Sequence, residues 1–106
     1  MAIQLKISIN KKVPSPPLVT FAPNPLAASP LDQIFWTNND SVPHWPGLLN
    51  ADGTVNKTFF MPNQIAQDGD SSPIFSPSAP ASFKYACSLH KNNQGVFDEQ
   101  GVINVT

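Results

Sequence analysis

The sequence predicts an all-β sandwich, on three observations. Apolar and polar residues alternate with period two in several short segments, prolines and turn formers separate those segments, and no stretch keeps a helical period over about ten residues. Residues 2–9 place Ile3, Leu5, Ile7 and Ile9 on one face and Gln4, Lys6 and Ser8 on the other, the mark of a half-buried strand. Pro14, Pro16 and Pro17 then interrupt the chain, because proline has no N–H to give a ladder. A second short strand follows at 18–22. Pro23, Pro25 and Pro30 bracket a loop before a third strand at 31–37, which carries Ile34, Phe35 and Trp36. Asn38, Asn39, Asp40 and Ser41 supply turn formers immediately ahead of Val42, Pro43 and His44. A turn at Asp52 and Gly53 leads into a strand at 55–61. Residues 68–80, rich in Ser, Pro and Asp, read as a loop with one brief strand at Ile74 and Phe75. Residues 81–87 alternate again, with Ala81, Phe83, Tyr85 and Cys87 on one face, so the Cys87 thiol points into the core beside two aromatics. A closing strand occupies 101–106. About six to eight short strands with turns between them make a sandwich.

Composition narrows the function. A chain of 106 residues, 41% hydrophobic, has enough apolar side chains for one domain spanning 1–106 with its own core. The net charge is −1, and the six basic residues are all lysines. Clustered Arg and Lys for gripping phosphates are missing, which argues against nucleic acid as a partner. No apolar run reaches the roughly 18 residues of a membrane span, and residues 1–8 alternate instead of forming the apolar centre of a signal peptide.

One cysteine cannot form an intramolecular disulfide, so Cys87 is buried, nucleophilic or metal-bound. The two histidines of the chain are His44 and His90. A thiolate is a soft donor and imidazole a borderline one, and together they suit copper or zinc. A nucleophilic Cys87 with a histidine base is the rival chemistry, but no Gly-rich oxyanion loop accompanies it.

The run from Leu31 through Trp36, Asn38, Asp40 and Pro43 to His44 resembles the first-histidine segment of plastocyanin-like cupredoxins. Tyr85-x-Cys87-x-x-His90 resembles their second ligand segment, Gly101–Val105 their last strand, and Phe21-x-Pro23 lies at the expected distance upstream. The resemblance covers nearly the whole chain. It implies a Greek-key β-sandwich of the cupredoxin type, one copper ion held by His44, Cys87 and His90, and one-electron transfer without enzymatic turnover. It further implies a backbone N–H after His44 donating to the Cys87 sulfur, a periplasmic or extracellular location, and a monomer. A transient redox partner would dock near His90, on a patch drawn from Trp45, Pro46, Leu48, Leu89, Val96 and Phe97. A copper carrier or storage protein, and a structural module of a larger protein, are the alternative uses of the same fold.

Two departures from the family pattern bear on the site. Trp45 replaces the Asn that follows the first histidine in plastocyanins, removing a side-chain tie between the ligand loops but leaving Ser88 opposite; the indole is read as a shield for His44. The axial methionine is also missing, and the loop after His90 is longer. Counting two residues back from Gly101 assigns Glu99 to the axial position, with Gln94 and Gln100 as competitors and a three-coordinate site, or one closed by water or backbone, as the further alternative. Met61 is assigned to the core. A carboxylate there would shift the centre from a blue towards a red copper type.

Overall fold

A computed structural model describes residues 3–12 and 19–106. Ala2, the break at Pro14, Pro16 and Pro17, and Leu18 lie outside the described residues. Eight strands form among those described: β1 (Gln4–Lys11), β2 (Val19–Ala22), β3 (Leu26–Ala28), β4 (Gln33–Asn39), β5 (Pro46–Leu49), β6 (Val55–Asn56), β7 (Ala81–Cys87) and β8 (Gln100–Val105). They make two mixed sheets, ordered β2-β1-β4 and β3-β8-β7-β5-β6. In the first, β1 runs antiparallel to β2 and parallel to β4. In the second, only the β3–β8 pair is parallel.

The core lies between the sheets and follows the period-two pattern. Ile7 and Ile9 of β1, Phe21 of β2, Ile34 and Trp36 of β4, Tyr85 of β7, and Ile103 and Val105 of β8 all bury against one another. Each large apolar side chain buried there contributes about 1.5–3 kcal/mol before the cost of ordering the chain. Phe21 and Trp36 meet the Tyr85 ring edge-on, at centroid distances of 4.9 and 5.3 Å. Gly101 makes room for that ring, since a Cβ there would overlap the Tyr85 phenol.

Several boundaries differ from the sequence expectation, each for a local reason. Ile3 precedes the paired part of β1 and is exposed, so it does not share the inner face with Ile7 and Ile9. Leu31 sits in a turn with φ of 73°, and the third predicted strand starts only at Gln33. The strand expected at 55–61 ends at Asn56; turns follow, and Phe60, Met61 and Ile65 fold inward to cap the core. The residues near Ile74 and Phe75 make isolated bridges along the outer edge of β4, pairing Phe75 with Ile34 and Ser71 with Thr37. Ser72 takes part as well, its Oγ accepting the Trp36 N–H. Pro73 and Pro77 keep this edge from becoming a continuous strand.

Candidate metal centre

One end of the sandwich gathers both histidines, the cysteine and a carboxylate from the two sheets. Cys87 is the last residue of β7, and its N–H donates to the Glu99 carbonyl at 3.0 Å. That bond extends the β7–β8 ladder by one pair beyond Ala86 and Gln100. Directly opposed residues present side chains to the same side of a sheet, so Cys87 and Glu99 point together into the end of the core. The turn at Ser88 and Leu89 brings His90 back over them. His44 arrives from the loop after β4, its backbone paired in both directions with Ile65 (N–H to Ile65 O 3.2 Å, Ile65 N–H to His44 O 2.8 Å).

The donor atoms converge. Cys87 Sγ lies 3.6 Å from His44 Nδ1 and 3.3 Å from His90 Nδ1. Glu99 Oε1 lies 3.4 Å from His44 Nδ1 and 3.3 Å from His90 Nδ1. All four atoms fall within 4.8 Å of one another. Donors held about 2.0–2.3 Å from a common ion at tetrahedral angles would be separated by about 3.3–3.6 Å, the spacing that each histidine Nδ1 keeps from both Cys87 Sγ and Glu99 Oε1, so the residues present fit a bound metal. The set of thiolate, two imidazoles and one carboxylate excludes the hard, all-oxygen environment that Mg²⁺ or Ca²⁺ requires.

Burial grades the site. His44 and Cys87 are fully buried, Glu99 is 1% exposed, and His90 keeps 25% of its side chain in solvent. Glu99 is therefore not a solvated loop end. Gln94 and Gln100, the competing amides, are exposed; the Gln100 amide donates to the Phe97 carbonyl, away from the cluster. Met61 is buried in the core, as expected. The long loop before Glu99 is ordered locally, with Asn92 Oδ1 accepting the N–H groups of Gln94 and Val96 and Gly95 adopting φ of 75°.

Supporting contacts surround the donors. The Trp45 N–H donates to Cys87 Sγ at 3.4 Å, the bond expected after His44. The tie thought lost with the missing Asn is present in another form: Ser88 N–H and Ser88 Oγ–H both donate to the Trp45 carbonyl at 2.9 Å. Trp45 is half-buried, with its indole N–H on the Met61 carbonyl and Lys57 over its ring, consistent with a cover for His44. Of the expected apolar patch, Leu89 and Val96 are exposed and Trp45, Leu48 and Phe97 partly so, whereas Pro46 is buried and drops out.

Two residues read from sequence as turn formers and as part of the first-histidine segment, without a role of their own, belong to the site. Asn38 is fully buried, its amide donating to the carbonyls of Val42 and Ile65 and its Oδ1 accepting the Asp40 N–H. Asp40 places Oδ2 2.9 Å from His44 Nε2. The signal was available: the period-two count from Ile34 and Trp36 carries Asn38 to the inner face. Burial alone would lower the His44 pKa, but hydrogen bonds to Cys87, Glu99 and Asp40 outweigh it and raise it to about 10 in the metal-free protein. Burial likewise acts to raise the Asp40 carboxyl, and its bonds with His44 and Ser41 reverse this and hold it below the usual carboxylate range.

Comparison with solved structures agrees with this architecture. The chain is similar to a purple cupredoxin from Nitrosopumilus maritimus, at 25% identity and a TM-score of 0.73 over 95% of this chain and 98% of that one. It is also similar to an amicyanin from Paracoccus versutus (16% identity, TM-score 0.67, 97% of this chain and 81% of that one). A pseudoazurin from Sinorhizobium matches at 18% identity and a TM-score of 0.62, over 98% of this chain and 74% of that one. Similar amicyanin variants are described in a reduced Cu(I) form and in an oxidised form. No family model and no curated protein matches the chain.

Proposed function

We propose that this chain, a cupredoxin by fold, binds one copper ion through His44, Cys87, His90 and Glu99 and carries single electrons. The observation that carries the reading is the convergence of one thiol sulfur, two Nδ1 atoms and one carboxylate oxygen within 4.8 Å in a buried end of the sandwich. When bound, copper supplies a one-electron couple between Cu(I) and Cu(II). The protein's part is to keep the donors where both states can use them. Cys87 and Glu99 are fixed by the β7–β8 ladder, and His44 by its bridge to Ile65. His44 and Glu99 exclude water, while the partly exposed His90 edge is the route for an electron to leave. Leu89, next to His90 in the chain, is exposed and suits a brief apolar contact with a redox partner. The reading is of a single-domain carrier, not a catalyst, active as a monomer outside the cytoplasm. The forms described for amicyanin support the choice of copper over zinc.

The test is the visible spectrum after stoichiometric Cu(II) addition to the reduced protein. An intense thiolate-to-copper charge-transfer band is expected, reversibly bleached by a one-electron reductant and absent in Cys87→Ser, which should keep the strand-rich circular dichroism of the parent. A colourless adduct would remove the thiolate from the site and reject the reading. A coloured adduct that cannot be cycled would favour a carrier or storage role.

A further inference from the structure

We propose that Asp40 is a positioning residue of the centre, whose carboxylate keeps a proton on His44 Nε2, commits Nδ1 to the metal and makes that ring a stronger donor. The inference rests on the copper reading above. His44 has one ring nitrogen toward Cys87 and Glu99 and the other 2.9 Å from Asp40 Oδ2. The ring is fully buried, so water cannot serve Nε2 in place of Asp40. A carboxylate can only accept, which obliges the ring to donate at Nε2. Once a metal takes Nδ1, the proton that remains is the one Asp40 holds. Among the described residues the His90 contacts all run through Nδ1, so the two histidines are supported unequally.

Asp40 is itself locked in place. Its Oδ1 accepts the Ser41 N–H at 2.8 Å, and its own N–H donates to Asn38 Oδ1 at 2.9 Å. Asn38 in turn donates to the carbonyls of Val42 and Ile65, and Ile65 pairs with the His44 backbone. The loop is thus a closed circuit that sets where the carboxylate points. A neutral amide oxygen facing Nε2 would still orient the ring, though it would give up the bond from the Ser41 N–H, because both Asp40 oxygens accept. The negative charge does something more: it raises the electron density donated by the imidazole, which favours Cu(II) over Cu(I).

Asp40→Asn and Asp40→Ala separate these two roles. Affinities for Cu(II) and Cu(I), by chelator competition, and the reduction potential are measured beside wild type. Hydrogen exchange at the His44 Nε2–H is followed by NMR in the Zn(II)-loaded proteins. Asp40→Asn should lose about 10-fold or more in Cu(II) affinity and less in Cu(I) affinity, raising the potential, while its Nε2–H stays protected. Asp40→Ala should lose toward 100-fold, the upper end for such outer partners, and exchange that proton quickly. If both variants match wild type in affinity, potential and exchange, the proposal is overturned and Asp40 is only a loop former. Equal losses of Cu(I) and Cu(II) affinity in Asp40→Asn would overturn the part assigned to its charge. Wild type failing to take copper would overturn the copper reading together with this one, whereas silent variants of a copper-binding wild type overturn this one alone.

Discussion

On the copper reading proposed above, Glu99 is the residue on which the chemistry of the centre would turn. An anionic oxygen donor neutralises the additional charge of Cu(II) and competes with the thiolate for the metal, so it lowers the reduction potential and weakens the copper–sulfur bond. Glu99→Met is expected to raise the potential and move the spectrum towards that of a blue site. Gln94→Ala and Gln100→Ala, both at exposed positions, should leave potential and spectrum within error. An unchanged Glu99→Ala alongside an altered Gln94→Ala would show that an amide is the fourth donor. A second expectation concerns Tyr85, the one tyrosine of the chain. Burial raises its phenol pKa well above the ordinary value of 10.0, with Trp36 acting weakly in the opposite direction. The unfolded chain therefore loses this proton first, so stability is retained below about pH 10 and falls as the pH rises beyond it. The near-ultraviolet tyrosinate band should appear only together with unfolding; its appearance in protein with native circular dichroism would contradict the burial argument. At this scale the sequence was informative where residue types are rare. One cysteine and two histidines leave little choice of soft donors, and the count from Gly101 that the family resemblance supplies leads to Glu99, the carboxylate that the fold brings within 4.8 Å of them. Asn38 and Asp40 stood in the first-histidine segment, but their contacts were hidden because Asn and Asp in a loop are ordinarily turn formers; the inner-face alternation of β4 marks Asn38, and Asp40 lies just past the strand's end.

Among the strands, the legible ones were those long enough to repeat their pattern. β1, β4 and β7 span eight, seven and seven residues and alternate visibly. β3 has three residues between prolines, too few to show a period, and is held by its parallel pairing with β8. β5 opens with Pro46 and Gly47, residues that ordinarily argue against a strand. Proline is tolerated as a first strand residue, and Gly47 is required because a Cβ there would come within 2.6 Å of the Asn56 carbonyl oxygen. The apolar run expected to be a strand at 55–61 serves as a cap, a choice that tertiary packing makes and alternation cannot reveal. The turn into β4 offers a test of local strain. Leu31 has φ of 73° and is 59% exposed, so its side chain contributes little packing to offset a conformation costing about 1–2 kcal/mol in a non-glycine residue. Its backbone bonds, N–H to the Pro77 carbonyl and carbonyl from the Ser76 hydroxyl, do not depend on the side chain. Leu31→Gly should therefore stabilise the protein by about 0.5–1 kcal/mol after the added flexibility of the unfolded glycine is subtracted. A higher urea midpoint with an unchanged slope is the expected result; a lower midpoint would mean that the leucine side chain matters more than its backbone.

For the molecule as a whole, the question is whether the metal builds the fold or the fold builds the metal site. The donors lie beyond the main aromatic and aliphatic cluster, which joins both sheets through Ile7, Ile34, Trp36, Tyr85 and Ile103 without help from His44 or His90. The backbone contacts that aim the donors are also independent of any ion: the Cys87 bond to the Glu99 carbonyl, the His44 bridge to Ile65 and the Ser88 bonds to Trp45. Many small metal domains unfold when their ion is removed because the ligands have no other reason to meet. Here they meet through the ladder and the core, so the metal-free protein should keep its strand-rich circular dichroism and unfold in a single transition. Binding to the native state alone would then add stability by mass action, about 2.7 kcal/mol when free metal is 100 times its dissociation constant. Thermal or urea unfolding with and without a chelator checks this directly. Loss of the strand signal on chelation would contradict this and assign the ion a structural role, with the ligands meeting only because the metal draws them together.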